Sequence, residues 1–236
     1  MNEQMPRRQG VLGRVTGTIY WFVVVELCFL LAASPGLVGI LLLERDASNL
    51  PLYALCLVPV GPAFSAGMST IAARSDELSV WPRFWRSYAH NAVDVLWVWL
   101  PALVVATVLG ITIAFAGSAG VSVFFVVVAV VLLVVLAVFT SHALVIASFF
   151  SFRARDVARL ALYYVAARPL VSLGALSYLV LAVALVAFTS DWVLALAAVL
   201  FAALAVVNAR SMDRDIRSRF VSDADAGTDT DTATET

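Results

Sequence analysis

The sequence contains no lysine, and this absence excludes several kinds of chemistry at once. All 15 basic residues are arginines, so the chain has neither a lysine for a Schiff base nor the phosphate-binding lysine of a Walker-type loop. Charged residues make up only 13% of the chain, and there are just two histidines and two cysteines. Signatures of serine hydrolases, zinc peptidases and glycine-rich phosphate loops are also missing. These absences argue against a conventional enzyme, and we expect no metal, cofactor or nucleic acid as a partner.

The most prominent feature of the sequence is its long apolar runs. Hydrophobic residues make up 62% of the 236 residues, and a run of about 20 is enough to cross the hydrocarbon core of a bilayer. The composition therefore predicts an all-α, polytopic integral membrane helix bundle that occupies residues 1–220. We place six spans near residues 19–43, 50–73, 92–116, 121–146, 169–189 and 191–208. Residues 221–236, rich in Asp, Thr and Ala, are expected to form a disordered acidic tail.

The arginines predict the orientation of the bundle. Fourteen of the 15 fall at the N-terminus, after the sixth span, or in the two loops that lie on the same side as both termini. Only Arg45 falls in a loop of the opposite side. By the positive-inside rule both termini are cytoplasmic, and the expected location is the bacterial cytoplasmic membrane. The formal net charge of the chain is −1. Five of its 16 acidic residues lie in the tail, so the membrane domain itself carries more basic than acidic residues.

Two cytoplasmic segments combine arginine with aromatic residues at helical spacing. "VWPRFWRSYAH" precedes the third span, and "FRARDVARLALYYVA" precedes the fifth. Helices of this kind lie at the membrane boundary, where Trp and Tyr meet the headgroups and Arg meets lipid phosphates. We expect two interfacial helices that anchor the protein to lipid or bind a protein partner. The residues of this candidate surface are Arg83, Phe84, Trp85, Arg86, Tyr88, Arg155 and Arg159.

Two of the predicted spans carry residues that interrupt helices. The first contains Pro35 and Gly36, about 12 Å from its outer end, and the second contains Pro59, Gly61 and Pro62 about 13 Å or more from its own outer end. A proline removes an amide and frees a carbonyl that lipid cannot satisfy, so we expect the two breaks to face each other inside the protein. Paired breaks line the binding sites of some transporters. The small residues Gly61, Ala63 and Ser65 also fit simple close packing of a kinked helix.

Few polar side chains lie within the spans. Glu26 is the only carboxylate deep in a span, and an intramembrane acid is a candidate functional group or a structural partner of another helix. Asn91 and Asp94 lie near the start of the third span, and His142 is expected to reach the cytoplasmic boundary near the end of the fourth. These four form the candidate intramembrane polar site. Cys28 and Cys56 are expected to be small buried apolar residues.

Residues 18–110 resemble a known family. The segments "YWFVVVELCFLLAASPG", "NLPLYALCLVPVGPAFSAGMSTIAA" and "FWRSYAHNAVDVLWVWLPAL" are similar to the YesL-like family, bacterial six-span membrane proteins assigned a domain of unknown function. Glu26 stands where the family often has Asn, and Ala89 and Val93 stand where basic residues are common. The resemblance implies a group often encoded beside sugar-uptake transporters and carbohydrate-degrading enzymes.

Three classes of function follow from these observations. The first is an accessory or regulatory membrane protein for carbohydrate uptake, with the bilayer and components of a sugar transporter as partners. The second is a small-molecule transporter whose site lies at the Pro/Gly breaks of spans one and two. The third is a membrane-embedded enzyme, for which the sequence offers no recognisable set of catalytic residues.

Overall fold

The computed structural model describes residues 11–73, 80–150, 153–189 and 191–220, and it contains no strand within these ranges. Its Val-, Leu- and Ala-rich segments form helices because a helix satisfies every internal backbone group without water. The helices in chain order are α1 (Val11–Leu42), α2 (Leu50–Cys56), α3 (Val60–Ala72), α4 (Val80–Phe115), α5 (Val123–Phe149), α6 (Ala154–Ala167), α7 (Pro169–Phe188), α8 (Asp191–Leu196) and α9 (Ala198–Phe220), with a 3₁₀ turn at Ala47–Asn49 before α2. The predicted all-α fold is confirmed.

Four of the described helices are long and apolar enough to cross a membrane: α1, α4, α5 and α7. Helices α2 and α3 meet at 45° and form a fifth span if they are counted as one broken helix. The chain is therefore a multi-pass membrane protein by the length and composition of its helices. The predicted sixth span, 191–208, falls on α8 and α9, which a turn at Ala197 separates. Its membrane crossing, the total of six and the orientation of the termini stay predictions.

The segment expected to be the first interfacial helix belongs to a longer element. Helix α4 has 36 residues and runs without interruption from Val80 to Phe115, which corresponds to about 54 Å at 1.5 Å per residue. The hydrocarbon core is only about 30 Å thick. The basic and aromatic residues at its start therefore continue the helix of the third span, and the prediction of a separate interfacial helix before that span is wrong.

Helix α6 is a separate element, as predicted, and its two faces differ. Val157, Ala161 and Tyr164 are buried, whereas Arg155 and Arg159 are exposed. The second half of α6 also lines an apolar groove with the last third of α4 and the middle of α5, formed by Val105, Leu109, Leu132, Val135, Leu136, Phe139, Leu162 and Val165. Helix α6 is therefore packed against the bundle, which an isolated helix at the membrane boundary would not be.

The core consists of two groups of buried side chains. One joins α3, α4, α5, α6 and α9 and includes Met68, Val95, Ile146, Tyr164 and Met212. The other joins α1, α3, α4 and the start of α9 and includes Val25, Ala66, Phe84 and Val199. Helix α3 takes part in both groups, with eight buried residues among its 13. Helix α3 is thus the central element of the described bundle.

Polar contacts tie the end of α9 to the junction of α6 and α7. Arg168 forms an ion pair with Asp215 at 3.1 Å, and the Tyr164 hydroxyl donates to the same carboxylate at 2.8 Å. Nearer the middle of α9, the amide of Asn208 donates to the Val171 carbonyl at 2.8 Å. The expected disordered tail, 221–236, lies outside the described residues, as do Arg7, Arg8 and Arg74.

Candidate functional site

The break in the second span lies between Cys56 and Val60. Because Pro59 has no amide hydrogen, it cannot donate to the carbonyl of Leu55 four residues earlier. The Val58 amide donates to that carbonyl instead, at 3.2 Å, and the Val60 amide donates to the Leu57 carbonyl at 3.1 Å. Two tight turns therefore replace the normal helical hydrogen bonds at this point, and the helix changes direction by 45°.

Trp99 of α4 covers the break from the inside of the bundle. Its indole Nε1–H donates to the Leu57 carbonyl at 2.9 Å, and its ring lies directly against Gly61. A Cβ atom on Gly61 would lie 2.6 Å from two carbons of the indole ring, Cγ and Cδ1. Gly61 is therefore the residue that admits Trp99, and Trp99 gives the Leu57 carbonyl a donor that lipid could not provide. Pro62 and Ala63, which follow Gly61, are buried as well.

Helix α1 approaches the other side of the same break. A Cβ atom on Gly36 would collide with the carbonyl oxygen of Cys56 and would lie 3.0 Å from Cγ of Pro59. Pro35 and Gly36 therefore lie beside the break in the second span. Helix α1 and the broken span touch through backbone atoms at this point, which is the packing that small residues permit between membrane helices.

The first span itself is not broken, contrary to the prediction. Helix α1 continues through Pro35 to Leu42. Pro35 lacks the amide that would donate to the Leu31 carbonyl, and the hydroxyl of Ser34 donates to that carbonyl at 2.8 Å. A neighbouring side chain thus replaces the missing donor, and the helix does not need to turn. The break at Pro59 has no such side chain beside it, since its neighbours are Val58 and Val60.

Glu26 is a hydrogen-bond acceptor for another helix. Its Oε2 accepts the backbone amide of Val199 in the first turn of α9 at 2.9 Å. Its Oε1 is buried and has no hydrogen-bond partner among the described residues. The positive end of a helix dipole and a free amide both favour a carboxylate at such a position. Glu26 therefore joins α1 to the start of α9.

Asn91 belongs to a polar network between α3, α4 and α5. Its Nδ2 lies 3.4 Å from Ser69 Oγ and 3.4 Å from the Ser148 carbonyl oxygen. Ser69 Oγ lies 2.9 Å from the carbonyl oxygens of both Ser65 and Ser148, and the Ser148 hydroxyl lies 2.8 Å from that of Ser65. Ser65 is fully buried. The network satisfies its own polar groups and holds three helices together, which is a structural use of intramembrane polar residues.

His142 is buried, with 2% of its surface exposed, so its side chain lies inside the bundle and does not extend to the membrane surface. Its depth near the cytoplasmic boundary stays a prediction. Its Nε2 lies 3.0 Å from the hydroxyl of Ser172 in α7. Ser172 gives its only proton to the Val165 carbonyl at 3.0 Å, so its oxygen accepts from His142. This arrangement requires the proton of a neutral His142 ring to be on Nε2. The adjacent Ser141 forms a hydrogen bond with Tyr178, which also lies in α7. Polar residues of α5 thereby position α7.

The four candidate polar residues do not form one site through their hydrogen bonds in the described part of the chain. Glu26 bonds α9, Asn91 bonds α3 and α5, and His142 bonds α7. Asp94 is exposed on α4. Within the described ranges there is also no group of three His, Cys, Asp or Glu side chains that could hold a metal ion. Glu26, Asn91 and His142 thus each have a partner on a neighbouring helix.

The candidate partner surface at the start of α4 is divided between core and exterior. Phe84 is fully buried against α1 and α3, whereas Arg86 is exposed. Arg83 donates to the Ala73 carbonyl at the end of α3 at 2.6 Å. Trp85 and Tyr88 contact Phe84 and each other through their rings. The aromatic residues therefore fix the extension of α4 to the bundle, and Arg86 is the side chain of this set that remains at the surface.

Comparison with known proteins finds no matching family model, no matching curated protein and no matching solved structure. The chemistry of the chain therefore has to be inferred from its own residues.

Sequence reasoning missed several residues that complete these contacts. Trp99 and Trp97 look alike in the sequence, yet Trp99 donates to the break whereas 69% of the surface of Trp97 is exposed. The spacing of Gly61 and Trp99 carries no signal, because the contact depends on the tertiary arrangement. Ser34 could have been recognised, since a hydroxyl directly before a proline can reach the carbonyl that the proline leaves free.

Proposed function

We propose that this chain is an accessory or regulatory protein of carbohydrate uptake in the bacterial cytoplasmic membrane, with both termini in the cytoplasm. It is neither an enzyme nor the transporter itself. The link to carbohydrate comes from the resemblance of residues 18–110 to the YesL-like family. The orientation comes from the distribution of arginines. In this role the bilayer and components of a sugar transporter are its partners.

The sealed break is the observation that favours an accessory role over transport. A transporter that used the break would need its freed carbonyls to line a hydrated cavity. The Leu57 carbonyl is instead bonded by Trp99, and the Cys56 carbonyl lies against Gly36. Phe64, one turn further along α3, packs against both core groups. These contacts support a dry, structural kink.

The exposed arginines supply the surface through which an accessory protein would act. Arg86 of α4, together with Arg155 and Arg159 of α6, is exposed. None of the three is needed to close the described core. A partner that binds them would be acidic, such as an acidic face of a transporter component or anionic lipid headgroups.

Transport measurements with and without the partner transporter test the proposal. We expect deletion of the gene to reduce uptake of a labelled carbohydrate in the native host, and purified chain in liposomes to transport none of it. The R86A/R155A/R159A variant should accumulate in the membrane but fail to restore uptake. Transport by the purified chain alone, or full uptake in the deletion strain for every carbohydrate the host uses, would contradict the proposal.

A further inference from the structure

The turn between α8 and α9 lacks a local cause. Residues 191–208, which include the turn, read "DWVLALAAVLFAALAVVN" and contain neither proline nor glycine. Leu and Ala, the commonest residues here, are strong helix formers. Sharp interruptions in helices arise at Pro, at Gly/Ser pairs, at π-bulges, or where a side chain or water enters the hydrogen-bond ladder. The first two are excluded by the residues around Ala197, and no π-helical turn occurs there. The remaining cause is a side chain or water that enters the hydrogen-bond ladder.

The hydrogen bonds around Ala197 identify the point of entry. The Ala197 amide donates to the Val193 and Leu194 carbonyls, each at 3.1 Å, and the Phe201 amide donates to the Ala197 carbonyl at 3.1 Å. In an unbroken helix the Val199 amide would donate to the Ala195 carbonyl. It donates to Glu26 of α1 instead. The ladder is thus regular on both sides of the turn and interrupted where Glu26 enters.

We propose that Glu26 creates the joint between α8 and α9 by acting as the N-cap of α9 from another helix. A helix start normally receives its cap from a Ser, Thr, Asp or Asn that directly precedes it. Here the preceding residue is Ala197, which has no side-chain acceptor. The carboxylate of Glu26 occupies the corresponding position from 173 residues away in the sequence.

The surroundings of this contact explain why it matters to the fold. Ala198 and Val199 are buried in the core group that includes Val25 and Ala66. A free amide in such a place is costly, and so is a carboxylate without a donor. The Val199 amide and Oε2 of Glu26 therefore satisfy each other, and the contact fixes both where α9 begins and how it sits against α1. This conformational role is independent of the proposed function in carbohydrate uptake.

A pair of spin labels across the joint tests the proposal. The labels are placed by Val193→Cys and Val207→Cys, both exposed positions, after Cys28→Ala and Cys56→Ala. Glu26→Leu removes the cap, so the Val199 amide should return to the Ala195 carbonyl and the label distance should shift to that of a continuous helix. Glu26→Gln keeps an acceptor oxygen and should leave the distance unchanged. The control is Glu44→Leu, which removes an exposed glutamate outside the bundle core.

A local cap provides the rescue experiment, and it also applies if Glu26→Leu fails to accumulate. Ala197→Ser places a hydroxyl where a conventional N-cap belongs. In the double variant E26L/A197S we expect the label distance of the parent protein and at least partial recovery of accumulation and unfolding midpoint. An unchanged distance in a folded E26L variant would overturn the proposal. So would an E26L variant that fails to accumulate and shows no recovery on A197S.

Discussion

The indole N–H of Trp99 lies 2.9 Å from the carbonyl oxygen of Leu57 and donates a hydrogen bond to it. Leu57 stands between two short helices, and its carbonyl would otherwise have only the Val60 amide as a donor. The same indole ring lies over Gly61. One side chain of α4 thus satisfies the break in the second span and fills the space beside it. This relationship favours a structural kink at the Pro/Gly segment over a hydrated site.

Trp99→Phe should separate the hydrogen bond from the packing. Phenylalanine still covers Gly61 but leaves the Leu57 carbonyl without its side-chain donor, at a cost of about 1 kcal/mol typical of hydrogen bonds between membrane helices. Unfolding in detergent measures the loss of stability. Trp97→Phe is the matched control because it makes the same change on the exposed side of the same helix, and it should have little effect. Equal losses in the two variants would mean that the hydrogen bond contributes nothing.

Gly61→Ala should destabilise the protein by overpacking. The new methyl group would meet the Trp99 ring at 2.6 Å, and such clashes typically cost about 1–3 kcal/mol. Gly17→Ala is the control, since no atom lies within 4 Å of a Cβ there and both changes share the gain in helix propensity. Adding Trp99→Leu to the Gly61 variant should recover part of the loss. A stable Gly61→Ala single variant would show that Trp99 can move away without cost.

Ser34→Ala should weaken α1 only while Pro35 is present. The variant leaves the Leu31 carbonyl without a donor, so the free energy of unfolding should fall by about 1 kcal/mol. Pro35→Ala restores a backbone amide for that carbonyl, and in the S34A/P35A double variant the loss should disappear. A double-mutant cycle on unfolding in detergent gives the coupling between the two positions. Additive effects would show that Ser34 does not replace the missing amide.

The loop between α1 and α2 should show a weak acid dependence. The amide and hydroxyl of Ser48 donate to Asp46 Oδ1 at 2.8 and 2.5 Å, and these bonds hold the pKa of Asp46 below its usual 3.8. A lowered folded-state pKa means that the contribution is constant above pH 3.8 and is lost as the pH falls through the folded-state value. The difference in unfolding midpoint between the parent and Asp46→Ala should therefore be the same at pH 5 and pH 8 and shrink below 3.8. A difference in unfolding midpoint that grows below pH 3.8 would contradict this prediction.

The elements that could be predicted from sequence are those whose cause is local. Apolar runs and helical periodicity suffice for α1, α5 and α7, and the opposite faces of α6 follow from the spacing of Arg155, Arg159, Val157 and Ala161. Pro59 and Gly61 correctly mark the break in the second span. Each of these features depends on residues close together in the chain.

The features that could not be predicted depend on contacts between distant residues. Nothing near Ala197 predicts a turn, because its cause is Glu26 in another helix. The depth of His142 is predicted by counting residues, but its burial in the bundle and its contact with Ser172 are not. Pro35 was expected to break a helix that Ser34 keeps intact. In each case the partner of a polar group decided the outcome, and partners are set by tertiary structure.

Reaction of Cys56 with a water-soluble thiol reagent tests the dry break most directly. Cys56 is the last residue of α2, and its sulfur lies toward Gly39 of α1. With Cys28→Ala in place, the native thiol reports water at the break when a small charged thiosulfonate is supplied on both sides of the membrane. A Ser48→Cys variant lacking both native cysteines is the positive control, because Ser48 lies in the loop outside the bundle. We predict labelling of Ser48→Cys in the folded protein and of Cys56 only after denaturation. Labelling of Cys56 in the folded protein at a rate close to that of the control would contradict the sealed kink and favour a hydrated transport site.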